Sequence, residues 1–407
     1  MTEAVIVSTA RSPFGRAFKG SLKEVRPDDL AATVIQAALD KVPALDKRLV
    51  EDLYLGCAEP SGRHGSNMAK VVATLLDLDA TPAATINRFC ASSAQTTRMA
   101  FHAIKAGEGD IFVSAGVECV SQYTDWAGAG GAKEDQQNGR FTEAQARTKR
   151  IAETNETWTD PREEGLLPDI YIAMGQTAEN VATAYGISRE RQDEWGVTSQ
   201  NRAEAAIGRG FFDWEITPVT TPDGTVVTKD DGPRAGVTLE AVQGLNPVFR
   251  QQGTVTAGNC CPLNDGAAAL VIMSDTKARE LGLEPLARVV STAATGLSPE
   301  IMGLGPVDAT NLALKRAGLS IGDIDLYEIN EAFAAQVIGS ADQIGMDYDK
   351  LNVNGGAIAI GHPFGATGAR ITGTLVNALR ERDGQFGLET MCVGGGQGMA
   401  VIFERLS

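Results

Sequence analysis

The chain is short of histidine, of paired cysteines, of positive charge and of long apolar runs, and each shortage excludes something. Only His64, His102 and His362 occur in 407 residues, so a side chain able to act as a base near neutral pH has few candidates. Six cysteines in a chain this long do not make a disulfide scaffold; no CxxC pair occurs, and Cys260 and Cys261 are adjacent. That spacing does not suit zinc, and no metal site is expected. Lysine and arginine number 36 against 52 acidic residues, a formal net charge of −16. Such a balance argues against nucleic-acid binding but still admits an anionic ligand in a local basic patch. No apolar run approaches the roughly 20 residues of a spanning helix. The opening "MTEAVIVSTARS" lacks the basic and apolar regions of a signal peptide. A reduced, cytoplasmic protein without a membrane span is the expectation.

What is present points to an α/β protein built twice. The length allows two or three domains, and glycine, 45 residues in all, gathers toward the C-terminus. "VEDLYLGCAEP" (50–60) resembles "DIDLYEINEAF" (323–333), and each follows an amphipathic helical stretch. Leu53 matches Leu326, and Cys90 follows the first at nearly the interval by which His362 follows the second. "DIFVSAGVE" (110–118) parallels "LETMCVGGG" (388–396), and "GAAALVIMS" (266–274) parallels "GMAVIFERL" (398–406). Strand and helix patterns alternate in each copy, the mark of a layered α/β unit. The expected organisation is one half made of 1–120 with 251–275, an inserted loop domain over 121–250, and a second half over 276–407. The insert reads either as a substrate-binding cap or as a surface decoration.

Few residues could do chemistry. Cys90, in "NRFCASSAQ", sits where a strand-like run gives way to a helical one. It is a packed structural thiol, or a nucleophile acidified by a helix end and a nearby imidazolium. His362 lies among Gly361, Pro363, Gly365 and Gly368, which read as backbone packed close to a ligand. His102 reads as a packed or surface residue on an Ala-rich helix, and His64 as a loop residue. Cys392 precedes three glycines, Gly394 to Gly396, whose N–H groups could line an oxyanion site. Two thiols and one imidazole in related loops suit covalent acyl chemistry with a separate proton transfer. Asn330 and Glu331, in "NEAF", lie just past a strand end, where catalytic groups collect in α/β folds. No P-loop occurs, and "GAGGAKEDQQNG" lacks the flanking strand and helix of a dinucleotide site.

Together these segments resemble thiolases, the Claisen-condensing acyl-CoA acyltransferases. The likeness spans almost the whole chain: "VIVSTARSPFGRAFKGSL", "NRFCASSAQ", "MGQTAENVA", "GTVTAGNCCPLNDGAAALV", "EINEAFAAQ", "NVNGGAIAIGHPFGATGARI" and "CVGGGQGMAVIFERL". The order NEAF, GHP, CxGGG separates it from the ketoacyl-carrier-protein synthases of similar fold. The resemblance implies duplicated α-β-α-β-α halves with an inserted loop domain. It implies Cys90 as the acylated nucleophile, His362 as its activating partner, Asn330 as the holder of a water, and Cys392 as the acid/base on carbon. The N–H groups of Cys90 and Gly394 resemble a second oxyanion hole. Arg234, Ala257 and Cys261 resemble contacts to coenzyme A, a co-substrate, with no cofactor tightly bound. A homodimer or homotetramer is implied.

Three positions depart from the family pattern. Ser93 stands where Gly is usual, and either tightens the helix start or fills space. Cys261 replaces a serine. Ala173 stands where short-chain biosynthetic members carry His, which implies a roomier acyl site. The reading is thiolytic cleavage of 3-oxoacyl-CoA. The alternatives are an acetoacetyl-CoA-forming acetyltransferase and a non-catalytic acyl-CoA- or lipid-binding relative.

Overall fold

The computed structural model describes residues 2–123 and 137–407. Trp126 and most of the "GAGGAKEDQQNG" run lie outside them. The first unit runs β1 (Ala4–Arg11), β2 (Gly15–Arg16), α1 (Pro27–Asp40), β3 (Asp52–Gly56), α2 (Met68–Leu75), β4 (Ala83–Ile86), α3 (Ser92–Ala106) and β5 (Ile111–Cys119). The described residues between β5 and β8 then carry α4 (Thr142–Thr154), α5 (Met174–Ala184), α6 (Arg189–Gly208), the ribbon β6 (Val219–Thr220) and β7 (Val226–Val227), and α7 (Leu239–Gln243). β8 (Asn264–Ser274) returns to the sheet, followed by α8 (Asp275–Glu280). The second unit is β9 (Ala287–Gly296), α9 (Gly305–Ala317), β10 (Leu326–Ile329), α10 (Ala334–Ile344), α11 (Thr367–Glu381), β11 (Phe386–Val393) and β12 (Gln397–Arg405).

Local chemistry sets many of these bounds. α1 opens on a proline with Asp28 and Asp29 in its first turn, where a missing N–H costs nothing and negative charge meets the positive helix end. α3 and α9 stop at Gly107 and Gly318, both left-handed, the conformation that closes a helix through its last carbonyls.

Strand order exposes the duplication. The large sheet runs β10-β11-β12-β9-β1-β8-β5-β3-β4. Outward from the centre, β1-β8-β5-β3 is answered by β9-β12-β11-β10. Within the sheet, the described residues of the two halves join through two pairs between β1 and β9, Val5 with Arg288 and Ile6 with Ala287. β3 is parallel to β4 and β5, and β10 to β11. A parallel bridge from Tyr327 to Leu351 stands where the first half has β4.

Strand alternation then builds layers. Val271 and Met273 of β8 pack with Val34 and Ile35 of α1 and Val72 of α2. Leu270 and Ile272, on the other face, share a core with Ala94 and Ala100 of α3, Ile371 and Leu375 of α11, and Val401 and Phe403 of β12. Ala400 and Ile402 of β12 point away again, to Ala313 of α9 and Val337 of α10. The result is α-β-α-β-α, with α3 and α11 in the central layer between two half-sheets.

The central layer is tight because its contact residues are small. A methyl built on Gly368 of α11 would collide with the backbone nitrogen of Ala94 in α3. The buried Ser93 hydroxyl accepts the N–H of Ala369 at 2.9 Å, satisfying a donor of the first turn of α11. Ser93 therefore neither caps the start of its own helix, which has no side-chain cap, nor merely fills space: its hydroxyl ties α3 to α11.

Gly368→Ala therefore forces α3 and α11 apart, and we expect a loss of about 1–3 kcal/mol, the range of overpacked cores. Gly373→Ala, in the same helix, meets nothing nearer than Thr9 Oγ1 at 3.3 Å. It is expected to be neutral or to stabilise by up to about 1 kcal/mol, the helix preference of Ala over Gly. Urea unfolding midpoints of the two variants check the contrast; equal midpoints would contradict the packing account.

Candidate active site

Each central helix is opened by a 3-10 turn, Phe89–Ala91 before α3 and Phe364–Ala366 before α11. Cys90 is the second residue of its turn, and Gly365 is the second of the other. His362 lies two residues ahead of its turn. The match of Cys90 with His362 by interval is thus off by three residues; Gly365 is the true counterpart of Cys90. The strands need a similar correction. Leu53 pairs with Val113 and Leu326 with Gly387, so Glu118 and Cys392 are equivalent, each the penultimate residue of its strand. The sequence match of 110–118 to 388–396 is displaced by four residues.

The two turns dock crosswise. The Gly365 N–H donates to Glu118 Oε2 at 2.8 Å. Glu118 also accepts from the Ala58 N–H at 2.8 Å and the Tyr123 hydroxyl at 2.7 Å. The mirror-image contact brings Cys90 to Cys392. There the N–H groups of Gly394 and of Cys90 itself face the Cys90 sulfur, and Cys90 is close enough to help raise the pKa of Cys392. One copy of the duplicated junction holds a carboxylate against a glycine. The other holds two thiols.

His362 is buried and held on three sides. Its backbone N–H donates to Asn264 Oδ1 at 2.9 Å. Gly361, at φ 122°, precedes it with no room for a side chain against Asn264. Ring Nδ1 lies 2.6 Å from Thr367 Oγ1, which itself donates to the Pro363 carbonyl at 2.9 Å. A hydroxyl has one hydrogen, so Nδ1 carries a proton and donates. That assignment leaves a lone pair on Nε2, 3.2 Å from the Asn330 amide nitrogen. The Asn330 Oδ1 is buried with no partner. Burial, helped by the charge of Arg370, pushes the imidazole down to about 3.

The thiols depart from expectation. Burial pushes Cys90 up to about 12, with the Gly394 and Cys90 N–H groups opposing it only in part. Cys392 is fully buried and lies well above the ordinary thiol range, through burial and then Cys90. Cys90 is not acidified here: desolvation outweighs the two N–H groups, and burial keeps the imidazole neutral, so there is no imidazolium to lower the thiol. The resting pair is thiol and imidazole.

Around Cys392 is an apolar cluster that includes Ala178, Val255, Met302 and Phe333, with Met174, Phe249, Cys260 and Cys261 packed on it. Met174 opens α5, so the 120–263 segment walls the site. Ala173 caps that helix and is half-buried. The Cys261 N–H donates to the Ala332 carbonyl at 3.1 Å, beside "NEAF", and burial raises its thiol. Arg234 and Ala257 are exposed; the Arg234 N–H donates to Gln200 Oε1 at 2.9 Å.

Other candidates resolve as structural. Glu331 is buried and accepts from Ser199 at 2.6 Å, Asn352 at 2.8 Å and the Ile358 N–H at 3.1 Å, so it ties "NEAF" to its neighbours. His64 accepts the Cys119 N–H at 3.0 Å, and His102 is exposed on α3. Sequence reasoning missed Glu118, Asn264 and Thr367. Only Glu118 carried a signal, a lone charge at the end of an apolar strand.

A thiol held protonated by burial makes a pH prediction. Alkylation of Cys90 by iodoacetamide in the free protein is expected to keep rising through pH 9, because a group whose pKa is raised ionises only above the ordinary 8.5. Peptide mapping of the labelled product against pH is the measurement, and a plateau between pH 6 and 8 would contradict it.

Comparison with known proteins shows the family. The model of the thiolase N-terminal domain matches residues 4–276, and that of the thiolase C-terminal domain residues 283–405. The chain is 42% identical to a 3-ketoacyl-CoA thiolase of Bacillus subtilis, over 99% of this chain and all of the relative. It is 44% identical to an acetyl-CoA acetyltransferase of Cupriavidus necator, over the full length of both. Among solved structures, the acetyl-CoA acetyltransferase of Bacillus anthracis superposes with a TM-score of 0.86 at 38% identity, covering 100% of this chain and 99% of that one. Human mitochondrial 3-ketoacyl-CoA thiolase in complex with CoA gives 0.85 at 36%, covering 100% and 98%. With both family domains matched and full-length relatives above 40% identity, this chain belongs to the thiolase family.

Proposed function

We propose that this protein is a degradative thiolase that cleaves 3-oxoacyl-CoA to acetyl-CoA and a shortened acyl-CoA. The reading is supported by two pairs of groups that the fold assembles from four separate loops: the Cys90 and Cys392 thiols, and the neutral His362 imidazole with the Asn330 carboxamide. As a thiolase it is an acyltransferase, and CoA is its co-substrate rather than a resident cofactor. Cys90 gives its proton to His362 Nε2, and its sulfur adds to C3 of the substrate. The C2–C3 bond breaks, and the electron pair stays on C2 of the departing acetyl-CoA, which Cys392 protonates. The acyl group now rests on Cys90 as a thioester. Cys392, left as thiolate, takes the proton of incoming CoA, whose sulfur attacks that thioester. The bond to Cys90 breaks, and the proton on His362 returns to it.

Charge develops at two oxygens, and donors are available for both. The N–H groups of Cys90 and Gly394 suit the C3 oxygen. His362 Nε2, once protonated, and a water on the unpaired Asn330 Oδ1 suit the thioester oxygen of acetyl-CoA. Each such donor is worth ~3–4 kcal/mol of barrier. A nucleophile that stays acylated cannot also shuttle the carbon-bound proton, so a second thiol is required. In this reading Arg234 contacts the nucleotide end of CoA, while Ala257 and Cys261 line the path of its pantetheine arm. β-oxidation of fatty acids or side chains, in the cytoplasm, is the proposed setting. A homodimer or homotetramer is the proposed assembly, and the outermost position of β4 in the large sheet supports it. A second reading, condensation to acetoacetyl-CoA, is favoured by the acetyl-CoA acetyltransferases among the full-length relatives.

Two experiments test these assignments. Intact mass after exposure to acyl-CoA is expected to show one acyl increment, absent in Cys90→Ala and retained in Cys392→Ala. Cys392→Ala is expected to lose solvent deuterium incorporation into the acetyl methyl group by at least about 100-fold, the scale of a positioned acid/base. Undiminished exchange would assign the proton transfer elsewhere.

A third experiment concerns chain length. Ala173 leaves room that an imidazole would fill, and each buried methylene of substrate is worth ~0.8 kcal/mol. Substrates of six or more carbons are therefore expected to show kcat/KM roughly ten-fold above acetoacetyl-CoA. Activity confined to acetoacetyl-CoA would favour the condensing reading.

A further inference from the structure

The two turns that open α3 and α11 begin with the same residue, Phe89 and Phe364. Only one of them is strained. Phe89 has φ +43°, in the left-handed region that a bulky side chain avoids; Phe364 is not among the residues of positive φ. Their rings also differ. Phe364 is half-buried and sits edge-on to His362 at 5.0 Å. Phe89 is 45% exposed, directly before Cys90. Its ring lies along the glycines that follow Cys392: a methyl built on Gly394 would touch it at 3.4 Å, and one on Gly395 at 3.9 Å. The turn is pinned from both ends, by the Phe89 N–H to Asn87 Oδ1 at 2.8 Å and by the Ser92 hydroxyl to the Phe89 carbonyl at 2.6 Å.

Phe18 is also exposed at positive φ, so these two features alone do not mark a function; what sets Phe89 apart is its place between Cys90 and the glycines that follow Cys392. Strain that persists in the copy carrying the thiol, and is absent from its twin, marks a functional constraint. We propose that Phe89 is a positioning residue for acyl transfer: its left-handed backbone and its ring against Gly394–Gly395 hold the Cys90 and Gly394 N–H groups on one side of the Cys90 sulfur. The ring also shields the glycine turn, so the amides keep their direction instead of turning to water. The inference rests on the reading of Cys90 as the acylated nucleophile.

The test is Phe89→Gly, which relieves the backbone and removes the ring, with Phe89→Leu restoring an apolar cover. For Phe89→Gly we expect an unchanged or raised Tm, a single-turnover rate of Cys90 acylation from 3-oxohexanoyl-CoA at least ten-fold lower, and a KM for CoA within three-fold of the parent. Phe89→Leu is expected to recover most of the lost rate without recovering strain relief. A merely structural role would lower Tm and rate together, and that outcome overturns the proposal. So does a Phe89→Gly variant acylated at the parent rate. Peptide mapping separates the two levels: if the parent protein carries its acyl group on a thiol other than Cys90, the nucleophile assignment fails, and this inference with it.

Discussion

Two helices that approach through their backbones set the rest of this structure. α3 and α11 cross where Ala94 faces Gly368, and the Ser93 hydroxyl takes an amide hydrogen from Ala369. On Gly368 not even a methyl fits there. That closeness fixes the spacing of the two half-sheets, because Leu270 and Ile272 pack on one side of the pair and Val401 and Phe403 on the other. It also brings the turns at the two helix starts, far apart in the chain, to the ends of opposite strands. A site shared between the halves exists only because the central layer is this thin.

The crosswise docking of those turns explains how one duplicated framework serves two purposes. At one junction Glu118 accepts hydrogens from Ala58, Gly365 and Tyr123, so a buried carboxylate is almost fully bonded and holds two loops together. At the other, the equivalent position is Cys392, and the facing turn carries Cys90. A thiol makes weaker hydrogen bonds than a carboxylate, so this second junction is held less by its reactive groups than by what surrounds them. Phe89, the glycines after Cys392 and the apolar cluster against α5 supply that support. Burial then keeps both thiols and His362 uncharged at rest, and charge arises only when a proton is handed between them.

Much of the fold was legible in the sequence, for reasons that are local. The alternation of strands and helices, the repeat of "DLYLG" as "DLYEI" and the long excursion after β5 all follow from periodicity and punctuation along the chain. The motifs around Cys90, Asn330, His362 and Cys392 stood out because glycines and small residues crowd there. The register of the repeat was not legible. Apolar runs tolerate a shift of several residues, and only hydrogen-bond partners in the sheet make Glu118 the counterpart of Cys392 and Gly365 that of Cys90.

The sequence by itself determined the residue types of the site and the order in which they come, since those are properties of the chain. Tertiary structure alone decided their states and their partners. Desolvation depends on everything packed around a group, which is why Cys90 is pushed up and His362 down although the local sequence argued for a thiolate beside an imidazolium. The supports of His362, Thr367 and Asn264, belong to different segments, and no spacing rule links them to the ring they orient. The strain at Phe89 is likewise invisible in a sequence that writes the same residue at the start of both turns, because φ is set by what the turn must dock against and not by the residue that occupies it.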